Sequence, residues 1–252
     1  MATTCKGIDI SVINGTIDWN KVKAAGIDFA MIKATQGWGV GASTKNLRLF
    51  TDSKFKTNIV NAHKAGIKCG VYHYMTATTL KEAKEEADYF LSVIAPYKSY
   101  IDTWVAVDVE DVSPARYCGK LSKIELTNVT LRFLNLIKRA GYKPMLYTNP
   151  NYLKYKFNSI SSFMNYDIWL AHYNVSTPMS VNNLKIWQYS DKGKVNGVSG
   201  NVDMNVGYFT VTTDYATMVC NICGFQNNTK EYMNKYTFAD ELWKKIYNAI
   251  KK

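Results

Sequence analysis

The chain is poor in the residues that build metal centres and disulfide frameworks. Its five cysteines, Cys5, Cys69, Cys118, Cys220 and Cys223, are odd in number and scattered. That excludes a disulfide-stapled scaffold and fits synthesis in a reducing compartment. Cys220 and Cys223 have the spacing of half a zinc site, but no second pair or nearby histidine completes four ligands, so they read as two small packed thiols. Histidine is scarce, with three in all. His73 and His172 have no acidic or histidine partner at ligand spacing and read as hydrogen-bonded core residues, so no metal or other cofactor is expected. Long apolar runs are missing as well. No stretch of about 18 apolar residues occurs, which excludes a membrane-spanning helix and predicts no stable membrane insertion. The first residues carry no apolar signal core and no cleavage site, which predicts synthesis in the cytosol without a signal peptide.

Arginine is rare too. Arg48, Arg116, Arg132 and Arg139 stand against a large excess of lysine in a chain whose formal net charge is +11. So positive a chain implies an anionic partner, which nucleic acid, a membrane surface or an acidic polymer such as a bacterial wall would satisfy. Base and phosphate readers favour the bidentate guanidinium, so the lysine excess points to diffuse attraction and away from nucleic-acid readout. With 252 residues, 47% of them hydrophobic, the chain can bury a full core. It fits one α/β barrel-sized domain as well as two small ones.

What is present is a regular alternation of strand and helix signals. Short runs rich in β-branched and aromatic residues predict strands at Lys6–Ser11, Asp28–Ala34, Cys69–Met75, Trp104–Glu110 and Pro144–Asn149. Helical stretches near Trp19–Ala25, Asp52–Ala65, Thr79–Ile94 and Leu121–Ala140 separate them. Three of these stop at an Ala-Gly pair, Ala25-Gly26, Ala65-Gly66 and Ala140-Gly141. After Asn149 the helices shrink, and Asp167–Tyr173, Leu184–Tyr189 and Asn201–Tyr208 read as strands joined mostly by loops. Five strand–helix units followed by three strands make an irregular α/β barrel, a variant of the (β/α)8 plan.

The segment Trp104-Val-Ala-Val-Asp-Val-Glu110 carries the strongest chemical signal. In an extended strand Val105, Val107 and Val109 share one face while Ala106, Asp108 and Glu110 share the other. The two acids then lie about 6 to 7 Å apart at their α-carbons, from a rise of about 3.3 Å per residue. Shielded from water, such a pair pushes one pKa up, supplying an acid still protonated near neutral pH beside a base that is not. The plainer alternative is a solvated strand end or the N-cap of the next helix, a duty that Asp111 could also serve. In a barrel, catalytic groups gather at the carboxyl ends of the strands. Asp9, Asp108, Glu110, Tyr147 and Asp203 fall there, and closure places the first and eighth strands, hence Asp9 and Asp203, side by side. Aromatics crowd the same ends: Tyr72 and Tyr74 flanking His73, Trp169 and Tyr173 flanking His172, then Trp187 and Tyr189. Flat rings bracketing acids suit a saccharide, although about half of such rings serve packing alone. Lys33 reads as a cation that neutralises a buried acid.

Ten short motifs in order resemble the lysozymes of glycoside hydrolase family 25, which are N-acetylmuramidases. They are Gly7-Ile-Asp-Ile-Ser11, Ile17-Asp-Trp19, Ala25-Gly-Ile-Asp-Phe29, Lys33-Ala-Thr35, Gly70-Val-Tyr-His-Tyr74, Asp108-Val-Glu110, Leu146-Tyr-Thr-Asn149, Trp169-Leu-Ala-His-Tyr173, Ile186-Trp-Gln-Tyr189 and Val202-Asp-Met-Asn205. Each is weak alone; together, in order, they span about residues 5 to 209. The resemblance implies a TIM-like (β/α)5β3 barrel that cleaves the β-1,4 bond after N-acetylmuramic acid in peptidoglycan. It implies Glu110 as general acid/base and Asp108 as its partner carboxylate. Asp9 and Asp203 would bind sugar, steer the acetamido group or tune the pKa of Glu110, with Tyr72, Tyr74, Tyr147, Trp169, Tyr173 and Gln188 lining the groove. Many members carry Glu where this chain has Gln36, a departure that bears on specificity. A chitinase-like glycosidase or a non-catalytic glycan-binding barrel are the alternatives. Without a signal peptide the family reading is an endolysin, made in the host cytoplasm and acting on the wall after release, or else an autolysin.

The barrel motifs end near residue 210 and divide the chain into a catalytic barrel, 1–210, and a helical C-terminal segment, 211–252. Asn228 and Glu231 have N-cap and third-position spacing for a short helix. A second helix runs from about Phe238, with Ala239, Leu242, Trp243, Ile246, Tyr247 and Ile250 on one face. This stripe suits packing on the barrel, self-association into a homodimer, or wall targeting.

Overall fold

The structure is a computed structural model and describes residues 4–38, 48–110, 118–211 and 239–250. Eight strands close into a barrel: β1 (Cys5–Ile10), β2 (Phe29–Trp38), β4 (Lys68–Tyr74), β5 (Val105–Asp108), β6 (Pro144–Thr148), β7 (Asp167–Ala171), β8 (Leu184–Gly193) and β9 (Val202–Gly207). They follow one another in the order β1-β9-β8-β7-β6-β5-β4-β2, and β2 pairs back onto β1. All eight predicted strands are there. A further short strand, β3 (Arg48–Thr51), has no counterpart among the predictions; it pairs antiparallel with Thr35–Trp38 of β2. It takes over the edge that β1 occupies lower down, at Phe29–Ile32. The neighbours from β1 through β2 to β8 run parallel, whereas β9 is antiparallel to both β8 and β1.

Four helices pack outside the sheet: α1 (Trp19–Ala24), α2 (Phe55–Lys64), α3 (Leu80–Ile94) and α4 (Lys123–Arg139). Their starts are written in the sequence. Asp18 accepts from the Lys21 N–H, and Thr79/Glu82 and Ser122/Glu125 form reciprocal capping boxes at α3 and α4, each satisfying donors that the first turn leaves over. Their stops are too. Gly26, Gly66 and Gly141 all take a left-handed φ, 82°, 75° and 79°, and the next residues, Ile27, Ile67 and Tyr142, donate back to Val22, Ala62 and Ile137. These are Schellman closures, which a residue with a Cβ forms only under strain. After β6 the helix is reduced to a π turn at Tyr152–Lys156 and a 3-10 turn at Ile160–Phe163, the shrinkage the pattern predicts.

The alternation of each strand divides the core in two. Val105, Val107 and Val109 join Ile8, Ile32, Val71, Phe90 and Phe133 between sheet and helices. Ala106 faces inward with Phe29, Met31, Tyr72, Met145, Tyr147, Trp169 and Ile186. Regular pairing of β5 stops at Asp108, two residues short of the expected end, while the Val109 N–H still donates to the Tyr147 carbonyl at 3.0 Å. No helix among the described residues is long and apolar enough to cross a membrane.

The C-terminal helix α5 (Ala239–Ile250) forms as predicted; Tyr247 is buried and Ile250 exposed. Asp111, the Cys220/Cys223 pair, the Asn228/Glu231 cap and the side chains of Leu242 and Trp243 lie outside the described residues.

Candidate active site

At the barrel rim, Asp9 of β1 and Asp203 of β9 are direct cross-strand partners. Because β9 runs backwards, Asp203 reaches the rim from the start of its strand while Asp9 reaches it from the end of its own. Their carboxyl groups are hydrogen bonded to each other. Asp9 Oδ2 accepts from Gln188 Nε2 and from Asn205 Nδ2, both at 2.8 Å. Burial raises Asp9 well above the ordinary carboxylate range, and the Asp203 charge adds to this against the two amide donors. Asp203 is also raised, by burial first. Like charges this close do not readily both ionise, so the pair titrates as a unit, with its first ionisation leaving a shared proton.

A buried polar fabric fixes Asp9. Gln188 Oε1 accepts from the Tyr147 hydroxyl at 2.9 Å and from the Tyr173 hydroxyl through a short bond, so its amide nitrogen must point to Asp9. Asn205 Oδ1 accepts from the Trp169 indole at 2.8 Å, and its nitrogen likewise turns to Asp9. Each amide has a single orientation that satisfies all its neighbours. Asn205 closes one of the ten motifs in the sequence but is given no role in the site there. The signal was available in the alternation of β9, which puts Asn205 on the same face as Asp203.

Asp108 is buried and Glu110 half-buried at the end of β5. The tyrosine hydroxyls register how these acids converge. Burial raises Tyr72, and the charges of Asp9, Asp108 and Asp203 raise it further. Tyr147 is raised by burial, then Glu110 and Asp108; Tyr173 by burial, then Asp9, Asp203 and Glu110. Asp9 and Asp203 pair at the carboxyl end of β1, and Asp108 and Glu110 stand at the carboxyl end of the parallel β5, so the four acids lie at one end of the barrel.

The aromatic residues divide by depth. Trp169 is 1% exposed and packs edge-on against Tyr72 and Tyr147, with ring centroids 5.7 and 4.4 Å away. Together they form a floor beneath the acids, with Tyr173 standing higher beside it. Tyr74 is buried, and its hydroxyl donates to the Glu110 carbonyl at 2.8 Å. Trp187 donates to the His172 carbonyl at 2.8 Å, and His172 Nδ1 accepts from the Met179 N–H. His73 sits on the helix-facing side of β4, bonded to Thr35 and Glu86; Glu86, thirteen residues on in α3, is a partner the sequence does not reveal. Lys33 donates to Gln36 at 2.6 Å, the position at which the resemblance noted a departure. A cavity of about 360 Å³ lined by Lys68, Lys143, Lys185, Trp104 and Phe209 opens at the opposite end of the barrel, away from these acids.

Residues 8–198 match the family profile Glycosyl hydrolases family 25. The chain belongs to that family. Among curated relatives it is 34% identical over 200 residues to the autolytic lysozyme of Clostridium acetobutylicum, covering 79% of this chain and 55% of that protein. It is 32% identical over 210 residues to lysozyme M1 of Streptomyces globisporus, covering 79% and 66%. The chain thus spans between about half and two thirds of the length of these two relatives. Among solved structures it resembles the CTP1L endolysin, with a TM-score of 0.65, 27% identity, and coverage of 88% of this chain and 70% of that one. It also resembles the Streptomyces coelicolor bacterial lysozyme, with a TM-score of 0.67, 28% identity, and coverage of 87% and 97%. As a family 25 barrel, the chain places its acids at the rim where (β/α)8-type enzymes carry their chemistry.

Proposed function

We propose that this chain is a lysozyme that hydrolyses the β-1,4 bond between N-acetylmuramic acid and N-acetylglucosamine in bacterial peptidoglycan, with retention at the anomeric carbon. The observation that carries the proposal is the convergence of Asp9, Asp108, Glu110 and Asp203, from three separate strands, above a floor of Tyr72, Tyr147 and Trp169. Glu110 protonates the leaving oxygen and later activates water, and Asp108 is its partner. Asp108 either orients the substrate's own acetamido group for internal attack or attacks the anomeric carbon itself; both routes invert twice and retain. The Asp9–Asp203 pair, held by Gln188 and Asn205, shares a proton and so limits the negative charge at the rim beside Glu110.

The physiological reading is an endolysin, made in the bacterial cytoplasm and acting on the wall once released, with the positive surface favouring an acidic wall polymer. The segment 211–252 serves association or wall targeting.

Borohydride reduction of digested peptidoglycan tests the bond assignment. New muramic acid at the reducing ends supports it; new glucosamine ends, or preferential cleavage of chitin oligomers, would replace it with a chitinase-like activity. The anomer seen first by NMR decides retention.

A further inference from the structure

Behind the rim lies an ionisable pair sealed from solvent. Glu86 of α3 and His73 of β4 are both 0% exposed, with His73 Nε2 2.9 Å from Glu86 Oε2. Glu86 also accepts from the Thr76 N–H at 3.1 Å and the Thr76 hydroxyl at 2.9 Å, and His73 Nδ1 lies 2.7 Å from the Thr35 hydroxyl. A sealed, fully bonded pair is a costly way to fill space, since replacing such a pair as a whole with apolar side chains is often neutral or stabilising. What Glu86 adds is directional. It grips residues 73 and 76, on either side of Tyr74 and Met75, and through His73 it reaches residue 35 on the next strand.

Both grips act on the site from behind. Tyr74 points the other way, into the barrel, and its hydroxyl holds the Glu110 carbonyl. On β2 the pairing with β4 slips at Ala34, so that Lys33 pairs with Tyr72 but Thr35 with His73 and Gln36 with Tyr74. This bulge reverses the alternation beyond it. Lys33 and Gln36, three apart, then meet on the same face, while Thr35 turns to the helix side and bonds His73. The fit is close: a Cβ on Gly37 would come within 1.9 Å of Glu86 Oε1 and 2.5 Å of Thr76 Oγ1, so β2 lies directly on the carboxylate.

We propose that Glu86 is a positioning residue for Glu110. Through His73 and Thr76 it sets the stretch of β4 from which Tyr74 holds the Glu110 backbone. Through His73 and Thr35 it holds the bulge that turns Lys33 and Gln36 toward the groove. The inference rests on the assignment of Glu110 as the acid.

The test measures kcat and KM on a soluble peptidoglycan fragment, with Glu110→Gln run in parallel. Glu86→Met, Thr35→Val and Tyr74→Phe should each lower kcat of the folded protein by about tenfold or more, as small misplacements of catalytic groups do, with KM within about twofold. Glu86→Gln should recover most of the rate, because its amide can bond Thr76 and the other histidine tautomer. The Glu86→Met, Tyr74→Phe double variant should lose less than the product of the two single losses, since Glu86 acts in part through the Tyr74 contact. Wild-type kcat in folded Glu86→Met, or losses that multiply in the double variant, would overturn the inference. Should Glu86→Met not fold, the single variants decide: wild-type kcat in both Thr35→Val and Tyr74→Phe would overturn the inference. If Glu110→Gln itself keeps the wild-type rate, the acid assignment fails; if it is inactive while the other variants keep their kcat, only the positioning role fails.

Discussion

Asp9 and Asp203 face each other across the antiparallel pair of β1 and β9, 194 positions apart in the chain, and bond through their carboxyl groups. Both are held above their ordinary pKa, so the folded protein keeps protons that the unfolded chain has already released. Their contribution to stability is therefore full below about pH 4 and is lost as the pH rises through the raised values.

Asp9→Asn tests that sign. The amide oxygen can still accept from Gln188 and Asn205, its nitrogen can donate to Asp203, and no proton remains to be lost. Relative to wild type, the Tm of Asp9→Asn should rise as the pH is taken from about 4 to about 7. A Tm difference independent of pH over that range would mean that the pair ionises normally.

Glu110→Gln should fold normally and lose at least about a hundredfold in rate, the contribution of a missing general acid. Asp108→Asn should be similarly damaging, whereas the strand pattern of the sequence predicts a mild effect for Asp111→Asn. Greater sensitivity at Asp111 would mean that the chain changes face after Val109.

Asn205→Leu probes the fabric under Asp9. It strips the acceptor from the buried Trp169 indole and one donor from Asp9. An unsatisfied buried donor costs about 1–3 kcal/mol, so denaturant titration should show a loss of about that size, together with reduced activity. Unchanged stability would mean that Trp169 finds another acceptor.

Wall lysis should weaken as salt rises. A chain at +11 attracts an anionic wall through charges whose reach falls to about 8 Å near physiological ionic strength. Turbidity assays across a salt series measure this, and a flat response would assign recognition to close contacts.

Deleting residues 213–252 should preserve hydrolysis of a soluble muropeptide while reducing lysis of whole cells or changing the mass in solution, since the candidate catalytic residues all precede residue 209. Aggregation of the truncated barrel would instead make the apolar face of α5 part of its core.

The barrel was legible because its signals are local. Capping pairs such as Thr79/Glu82, the left-handed glycines Gly26, Gly66 and Gly141, and the alternation of Val105, Val107 and Val109 against Ala106 and Asp108 all act within a few residues. They fix where elements start, stop and turn their apolar faces, and counting the strands led to closure and to the pairing of Asp9 with Asp203. The sequence alone therefore determined the order of the eight barrel strands and the four outer helices, and the acid face of β5. Three features waited for the tertiary structure. The reversed direction of β9 depends on how a loop returns to the sheet, and local propensity is blind to it. The bulge at Ala34 depends on the register against β4, so the meeting of Lys33 with Gln36 could not be read from β2 by itself. The Glu86–His73 bond joins a helix face to a strand's outer face. In the sequence Glu86 is one more charged residue on a lysine- and glutamate-rich helix, and only packing α3 against the barrel seals it from water and makes its partner a physical necessity.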